Sequence, residues 1–345
     1  MSLKLGIMRD NRYLEHKTGL THPESPMRLK AVYEMLAHEF DDQFTHIQPE
    51  LASLEMLEMA HSPKYVEMVL RTAQLSHVHL APDTPSGVSS YLPAYLAAGG
   101  CVKGVKSLLN GELEALFALV RPPGHHALLD RAGGFCIFNN LGVAAKYALK
   151  KLNMKRILIV DWDIHHGNAL QELFYEDDRV MYISTHYLAA FPYTGHWEET
   201  GEGKGEGYSL NLPVPKDFND EEAIYIYREV LKSVMRNYEP ELVMVAAGFD
   251  AHRQDPLGMG LMTEKGFGEL ARICALLGPL SLGAPLLLAL EGGYRPRAVA
   301  ASVREVLKSL LSAHQPREDY RIYSPRAAKI VARAREVHAP FKIWT

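Results

Sequence analysis

Cysteine is scarce in this chain. Cys101, Cys136 and Cys274 are the only three among 345 residues, and none belongs to a Cys-x-x-Cys pair. Neither a thiolate zinc site nor a disulfide framework is therefore expected. A basic excess is missing too. The 37 Lys and Arg face 41 Asp and Glu, a net charge of −4, which argues against a general nucleic-acid binder. The longest apolar runs, such as 285–290, fall far short of the ~20 residues needed to span a bilayer. No apolar signal-like stretch precedes Arg9-Asp-Asn-Arg12, and no repeat, low-complexity tract or Pro/Gly/Ser linker divides the chain. These absences predict one cytoplasmic domain over 1–345, with no membrane and no direct nucleic-acid partner.

The chain does have a core-forming apolar fraction of 47% and 16 histidines, four of them in the pairs His125-His126 and His165-His166. Short apolar runs predict buried strands at 3–8, 115–120, 156–163, 180–184, 242–246 and 285–290. Helical periodicity predicts helices at 26–40, 94–109, 140–152, 220–237 and 264–277, the first opened by Ser25 as cap and Pro26. Segments 185–219 and 250–263 read as long loops. The C-terminal segment, about 317–345, carries Arg317, Arg321, Arg326, Lys329, Arg333, Arg335 and Lys342. It reads as a solvated amphipathic helix, opened by Ser324-Pro325, that closes the domain. Alternating strands and helices predict an α/β fold with a mainly parallel sheet.

Four of these strands run into polar clusters: His125-His126, Asp161 to Asn168, Asp250 to His252, and Glu291-Gly-Gly-Tyr294. Ligands in open α/β sheets bind beyond the carboxyl ends of strands. If the strand continued, Asp161, Asp163 and His165 would share a face. Two carboxylates leaving a core strand are costly to bury without a cation. Asp250 can complete a mixed oxygen and nitrogen ligand set that suits zinc, with Fe(II) a second choice. The paired histidines could divide base and acid work, and Tyr294 could donate to an oxyanion.

Several segments resemble the histone deacetylase family, within the arginase–deacetylase type of fold. They are His22-Pro-Glu-Ser-Pro-Met-Arg28, Arg121-Pro-Pro-Gly-His-His126, Gly133 to Asn140, Asp161 to Asn168, Gly248 to Gly258, and Glu291-Gly-Gly-Tyr294. Trp162, Asn168 and Glu291 resemble the class II and bacterial amidohydrolase branch. The resemblance implies one catalytic zinc on Asp163, His165 and Asp250. It implies His126 as base then acid, His125 as an electrostatic partner held by Asp161, Asn168 beside His126, and Tyr294 as oxyanion donor. Gly134, Phe135 and Phe191 would line an acyl-lysine tunnel, with Asp83 on its rim. Two structural K⁺ or Na⁺ sites are implied, one at Asp161, Asp163, His165 and Ser184, the other at Phe174, Asp177, Val180 and Tyr208.

Two positions depart from the pattern. Tyr193 stands where relatives usually carry glycine. Leu257 occupies a position where polyamine-specific relatives tend to carry an acid, which turns the expectation toward acyl-lysine peptides or small acylated amines. The competing readings are an acetylpolyamine amidohydrolase, an acetoin-utilisation-type deacetylase, a dinuclear ureohydrolase and a non-catalytic acyl-lysine binding module. His252 argues against the dinuclear site, and the retained ligands and Tyr294 argue against a silent module. A homo-oligomer is compatible with all of them.

Overall fold

Runs of β-branched and aliphatic residues make strands that are buried on both faces. In a computed structural model describing residues 3–40, 43–315 and 322–344, every residue of β9 (Leu242–Ala247) is buried. The same holds for β1 (Leu5–Met8), β5 (Ala115–Ala118), β6 (Ile157–Asp161), β7 (Val180–His186) and β10 (Leu286–Leu290). Short strands β2 (Thr45–His46) and β8 (Ser209–Pro213) close the two edges, giving the order β2-β1-β5-β10-β9-β6-β7-β8. Every pairing in this eight-stranded sheet is parallel. A separate antiparallel hairpin pairs β3 (Val78–Ala81) with β4 (Thr84–Ser86).

Parallel neighbours need crossovers, and helices supply them. The helices before the last strand are α1 (Met27–Glu39), α2 (Leu54–Leu57), α3 (Pro63–Arg71), α4 (Tyr91–Leu109), α5 (Asn140–Lys151), α6 (Asn168–Phe174), α7 (Asp220–Tyr238) and α8 (Glu264–Leu277); α9 (Pro296–Leu311) and α10 (Pro325–His338) follow β10. Helix α7 starts at a capping box, in which Asn219 and Glu222 each bond the other's backbone N–H. No helix among the described residues is long and apolar enough to cross a membrane. The strand order makes β5, β10, β9 and β6 consecutive. Four segments far apart in sequence therefore end side by side.

The fold departs from the sequence reading at several points. Segment 185–219 is not all loop: β7 runs on to His186, and β8 lies inside the segment. β8 was hidden because it is short, holds Ser209 and Asn211, and ends in Pro213; proline is tolerated at an edge. β6 stops at Asp161, so Asp163 and His165 leave on a turn rather than sharing a strand face. The first helix opens at Met27, and its start has no side-chain cap, so Ser25 does not cap it. Ser324 does cap α10, accepting from the Ala327 N–H at 3.2 Å. Arg326 of that helix binds Asp217 at 2.8 Å and also Glu222. Arg317 and Arg321 lie outside the described residues.

Buried neutral histidines make stability depend on pH. His16 and His61 are each 1% exposed. Burial holds His16 down at about 3 and His61 at about 4. Both values lie below the ~6.5 of an unfolded chain. Below that pH the unfolded state binds protons that the folded state refuses, so stability falls as pH falls. Each histidine should cost about 2 kcal/mol between pH 7 and pH 5. Denaturation midpoints at the two pH values check this, and for His61→Gln the loss should be smaller by one histidine's share.

Candidate active site

Asp161 ends β6 fully buried, and its carboxylate turns toward His125, with Oδ2 at 3.1 Å from Nδ1. The Tyr182 hydroxyl donates to the same oxygen at 3.0 Å. Its other oxygen, Oδ1, accepts from the Asp163 N–H at 3.2 Å, so Asp161 braces the turn without joining the ligand atoms. Asp163, His165 and Asp250 converge instead, each offering a ligand atom within 4.8 Å of the others. His165 Nδ1 lies 3.1 Å from Asp163 Oδ1 and 3.0 Å from Asp250 Oδ2. Backbone donors aim these carboxylates: Gly292 N–H to Asp163 Oδ2 at 2.9 Å, and Ile164 N–H to Asp250 Oδ1 at 3.0 Å. Only glycine fits at 292, because a Cβ there would strike both carboxylates. Burial, with the charge of Asp163 adding to it, pushes Asp250 up to about 7. A cation relieves such a pair, and two carboxylates with one imidazole suit a divalent metal that keeps an open position.

The paired histidines sit in contrasting surroundings with their rings 3.9 Å apart. Burial opposes a charge on His125, but Asp161 and Asp163 outweigh it and lift the group to about 10. Burial and then the His125 charge hold His126 well below its ordinary value. Such divergence marks an acid/base assignment. Asn168 Oδ1 lies 2.8 Å from His126 Nδ1, so the Nδ1 proton points to it and the lone pair sits on Nε2. Glu291 supports the turn that carries both rings: its Oε2 accepts from the N–H of Gly124 at 2.6 Å and of His125 at 3.2 Å.

Tyr294 follows β10, and its N–H donates to Asp255 Oδ2 at 2.5 Å. Its ring meets Phe135 edge-on at 5.5 Å, and the Arg28 guanidinium lies 5.1 Å from its centre. Arg28 also donates to the carbonyls of Glu291 and Gly293 and to Glu24 at 2.9 Å. Burial, with Asp250 and Asp163 adding to it, keeps the Tyr294 phenol protonated. A cavity of about 390 Å³ brings together Asp83, His126, Gly134, Phe135, His165, Phe191, Leu257 and Tyr294. Gly134 has φ 54°, and a Cβ there would collide with the His126 ring.

Asp83 lines this cavity, but both its oxygens are engaged by the wall itself. Oδ2 accepts from Gly134 N–H at 3.1 Å and Oδ1 from the Thr84 hydroxyl at 2.8 Å. Of the residues expected to hold monovalent cations, Asp161 and Ser184 face each other across β6 and β7. Ser184 Oγ lies 2.9 Å from His186 Nδ1, and the Asp161 carbonyl accepts from Tyr227 at 3.2 Å. Phe174, Asp177 and Val180 follow one another in turns: Asp177 N–H donates to the Phe174 carbonyl at 3.0 Å and Val180 N–H to the Asp177 carbonyl at 3.2 Å. The Tyr208 carbonyl accepts from Tyr182 N–H at 2.8 Å. Sequence reasoning assigned no part to Glu291, Arg28, Asp255, Tyr187 or Met259. Arg28 and Glu291 lay inside motifs already marked, which was a usable signal; Met259 and Tyr187 had none.

Comparison with known proteins agrees with this geometry. Residues 22–310 match the histone deacetylase domain. A probable deacetylase of Archaeoglobus fulgidus is 37% identical over 292 residues, 84% of this chain and 81% of its own length. Histone deacetylase 15 of Arabidopsis thaliana is 38% identical over 319 residues, and histone deacetylase HDA1 of Saccharomyces cerevisiae is 35% identical over 344. The matches cover 90% of this chain but 57% and 48% of those two proteins, so the chain spans about half their length. A crystal structure of the HDA15 HD domain superposes with a TM-score of 0.89 at 34% identity, covering 97% of this chain and 96% of that one. With both its sequence and its α/β architecture matched, the chain belongs to the histone deacetylase family.

Proposed function

We propose that this protein is a zinc-dependent amidohydrolase that removes acetyl groups from N-acetyl-lysine side chains or related acylated amines. One observation carries the reading: a buried two-carboxylate, one-imidazole ligand set, a neutral histidine and a protonated tyrosine meet around a single cavity. Asp163, His165 and Asp250 would hold the zinc, or Fe(II) in its place. A divalent metal bound there supplies Lewis-acid polarisation of the amide carbonyl and acidifies water.

The remaining work falls to side chains. His126 Nε2 takes a proton from the attacking water and returns it to the amine nitrogen as the C–N bond breaks. Acetate and a free amine result. Asn168 fixes the tautomer that makes this exchange work. His125, held cationic by Asp161, places a positive charge beside the carbonyl as it becomes anionic. Tyr294 donates its O–H to that oxygen. Gly134, Phe135 and Phe191 enclose the acyl-lysine stem, and Asp83 braces the Gly134 wall. K⁺ or Na⁺ would serve structure at Asp161, Asp163, His165 and Ser184, and at Phe174, Asp177, Val180 and Tyr208. We also infer a cytoplasmic location, because the three free cysteines suit a reducing compartment.

The test is amine release by the zinc-loaded protein on matched panels of acetyl-lysine peptides and acetylated polyamines, with Asp163→Ala as the blank. Preference for peptides is expected. Leu257 presents no charge to a polyamine, whereas Leu257→Glu supplies an anion at the cavity mouth. That variant should raise the polyamine-to-peptide ratio of kcat/KM about tenfold at low salt and less at high salt. A wild-type preference for polyamines overturns the peptide assignment. Tight peptide binding without amine release favours the non-catalytic module.

A further inference from the structure

We propose that Tyr193, Leu257 and Met259 form an apolar collar at the cavity mouth that selects acyl-lysine flanked by apolar residues. The proposal rests on the acyl-lysine reading above and names the part of the substrate that lies outside the tunnel.

The first observation concerns the backbone. Six non-glycine residues among those described have positive φ, and three of them line this cavity: Phe135 at 68°, Tyr193 at 63° and Met259 at 51°. A bulky residue in that region costs ~1–2 kcal/mol, and such strain persists only where the surroundings over-determine it. They do so here. Tyr193 N–H closes a turn on the Ala190 carbonyl at 2.9 Å. The next residue, Thr194, lies 2.8 Å from buried His166 through its hydroxyl, and Gly195 N–H bonds the Glu199 carboxylate. Met259 sits between two glycines packed so closely on Asp250 and Ala251 that a Cβ on either would strike backbone. The loop thus rides on the residue that carries a ligand carboxylate.

The second observation is what these strained positions present. Tyr193 is 68% exposed, Met259 58% and Leu257 39%, all on the rim of one cavity. Large apolar side chains grouped at the mouth of a site mark a binding surface. The third is charge. Asp83 is the one carboxylate lining the cavity among the described residues, and both its oxygens bond the wall. Asp255 behind the rim spends its oxygens on the N–H groups of Leu257 and Tyr294. Asp83 keeps its charge but is turned onto the Gly134 wall, and the exposed rim itself is made of Tyr193, Leu257 and Met259, so the rim suits an apolar neighbour.

The test measures binding rather than turnover. Two labelled pentapeptides carry the methyl-ketone isostere of acetyl-lysine, which cannot be hydrolysed, flanked on both sides by phenylalanine or by glycine. Fluorescence anisotropy with the zinc-loaded full chain should show the phenylalanine peptide binding about tenfold tighter, as burial of ~60 Å² of apolar surface provides. Tyr193→Gly and Met259→Gly remove collar side chains while suiting the positive φ, so folding is not at risk. In each the ratio should fall to about two. Equal affinity in the wild type, no binding of either peptide, or an unchanged ratio in both variants overturns the collar. The acetyl-lysine forms of the same peptides, run for turnover, separate the two claims. Equal binding with turnover defeats the collar and leaves the deacetylase reading. Discriminating binding without turnover upholds the collar and defeats the deacetylase reading.

Discussion

Tyr294→Phe will lose ~10²–10³ in kcat while its bound metal stays near the wild-type level. The substitution removes one hydroxyl and keeps the ring. The edge-on contact with Phe135 and the stacking of Arg28 depend on that ring, so the turn after β10 should keep its shape. The backbone N–H bond to Asp255 is untouched as well. What disappears is a donor held protonated by burial and by the two nearby carboxylates. A donor aimed where charge develops acts mainly on the transition state, so kcat should fall and KM should move little. Steady-state kinetics with metal analysis of the same preparation checks this. A near-wild-type kcat in metal-replete protein would remove Tyr294 from the chemistry.

Asp163→Ala should lose both the metal and the activity. The variant deletes one of two buried carboxylates in the ligand set and strips the acceptor from the N–H groups of His165 and Gly292. The loss in kcat/KM should exceed the ~10–100-fold that partners outside a ligand set are worth. Metal binding also links to stability: zinc at a hundred times its Kd should stabilise the wild-type fold by about 2.7 kcal/mol. That increment should vanish in Asp163→Ala. Metal content per chain and denaturation midpoints with and without zinc measure it. Asp161→Asn is the informative companion, because Asp161 bonds His125 rather than joining the ligand atoms. It should keep its metal and lose rate through His125. Full metal occupancy in Asp163→Ala would overturn the ligand assignment.

The sequence by itself determined the class of fold and supplied the candidates for the site. Fully apolar runs such as Leu286–Leu290, alternating with helical segments, read as buried strands of a parallel sheet, and the polar clusters after them brought His125, Asp163, Asp250 and Tyr294 forward as candidates. Spacing also settled that the helix-forming segments between them act as crossovers. The tertiary structure decided which side chains meet. Asp161 and Asp163 look equivalent in sequence, yet the strand ends between them and a turn sends one to His125 and the other to the ligand set. The resemblance put Asp83 on the tunnel rim, and the fold adds that its carboxylate accepts from the Gly134 N–H. The glycine that relatives usually carry at position 193 was the one hint of its positive φ, Met259 gave none, and β8 was hidden by its polar residues. The physical reason is common to all of these. Hydrophobic pattern reports which face of an element is buried, whereas direction at a strand end depends on turn dihedrals and on neighbours distant in sequence, which no local pattern encodes.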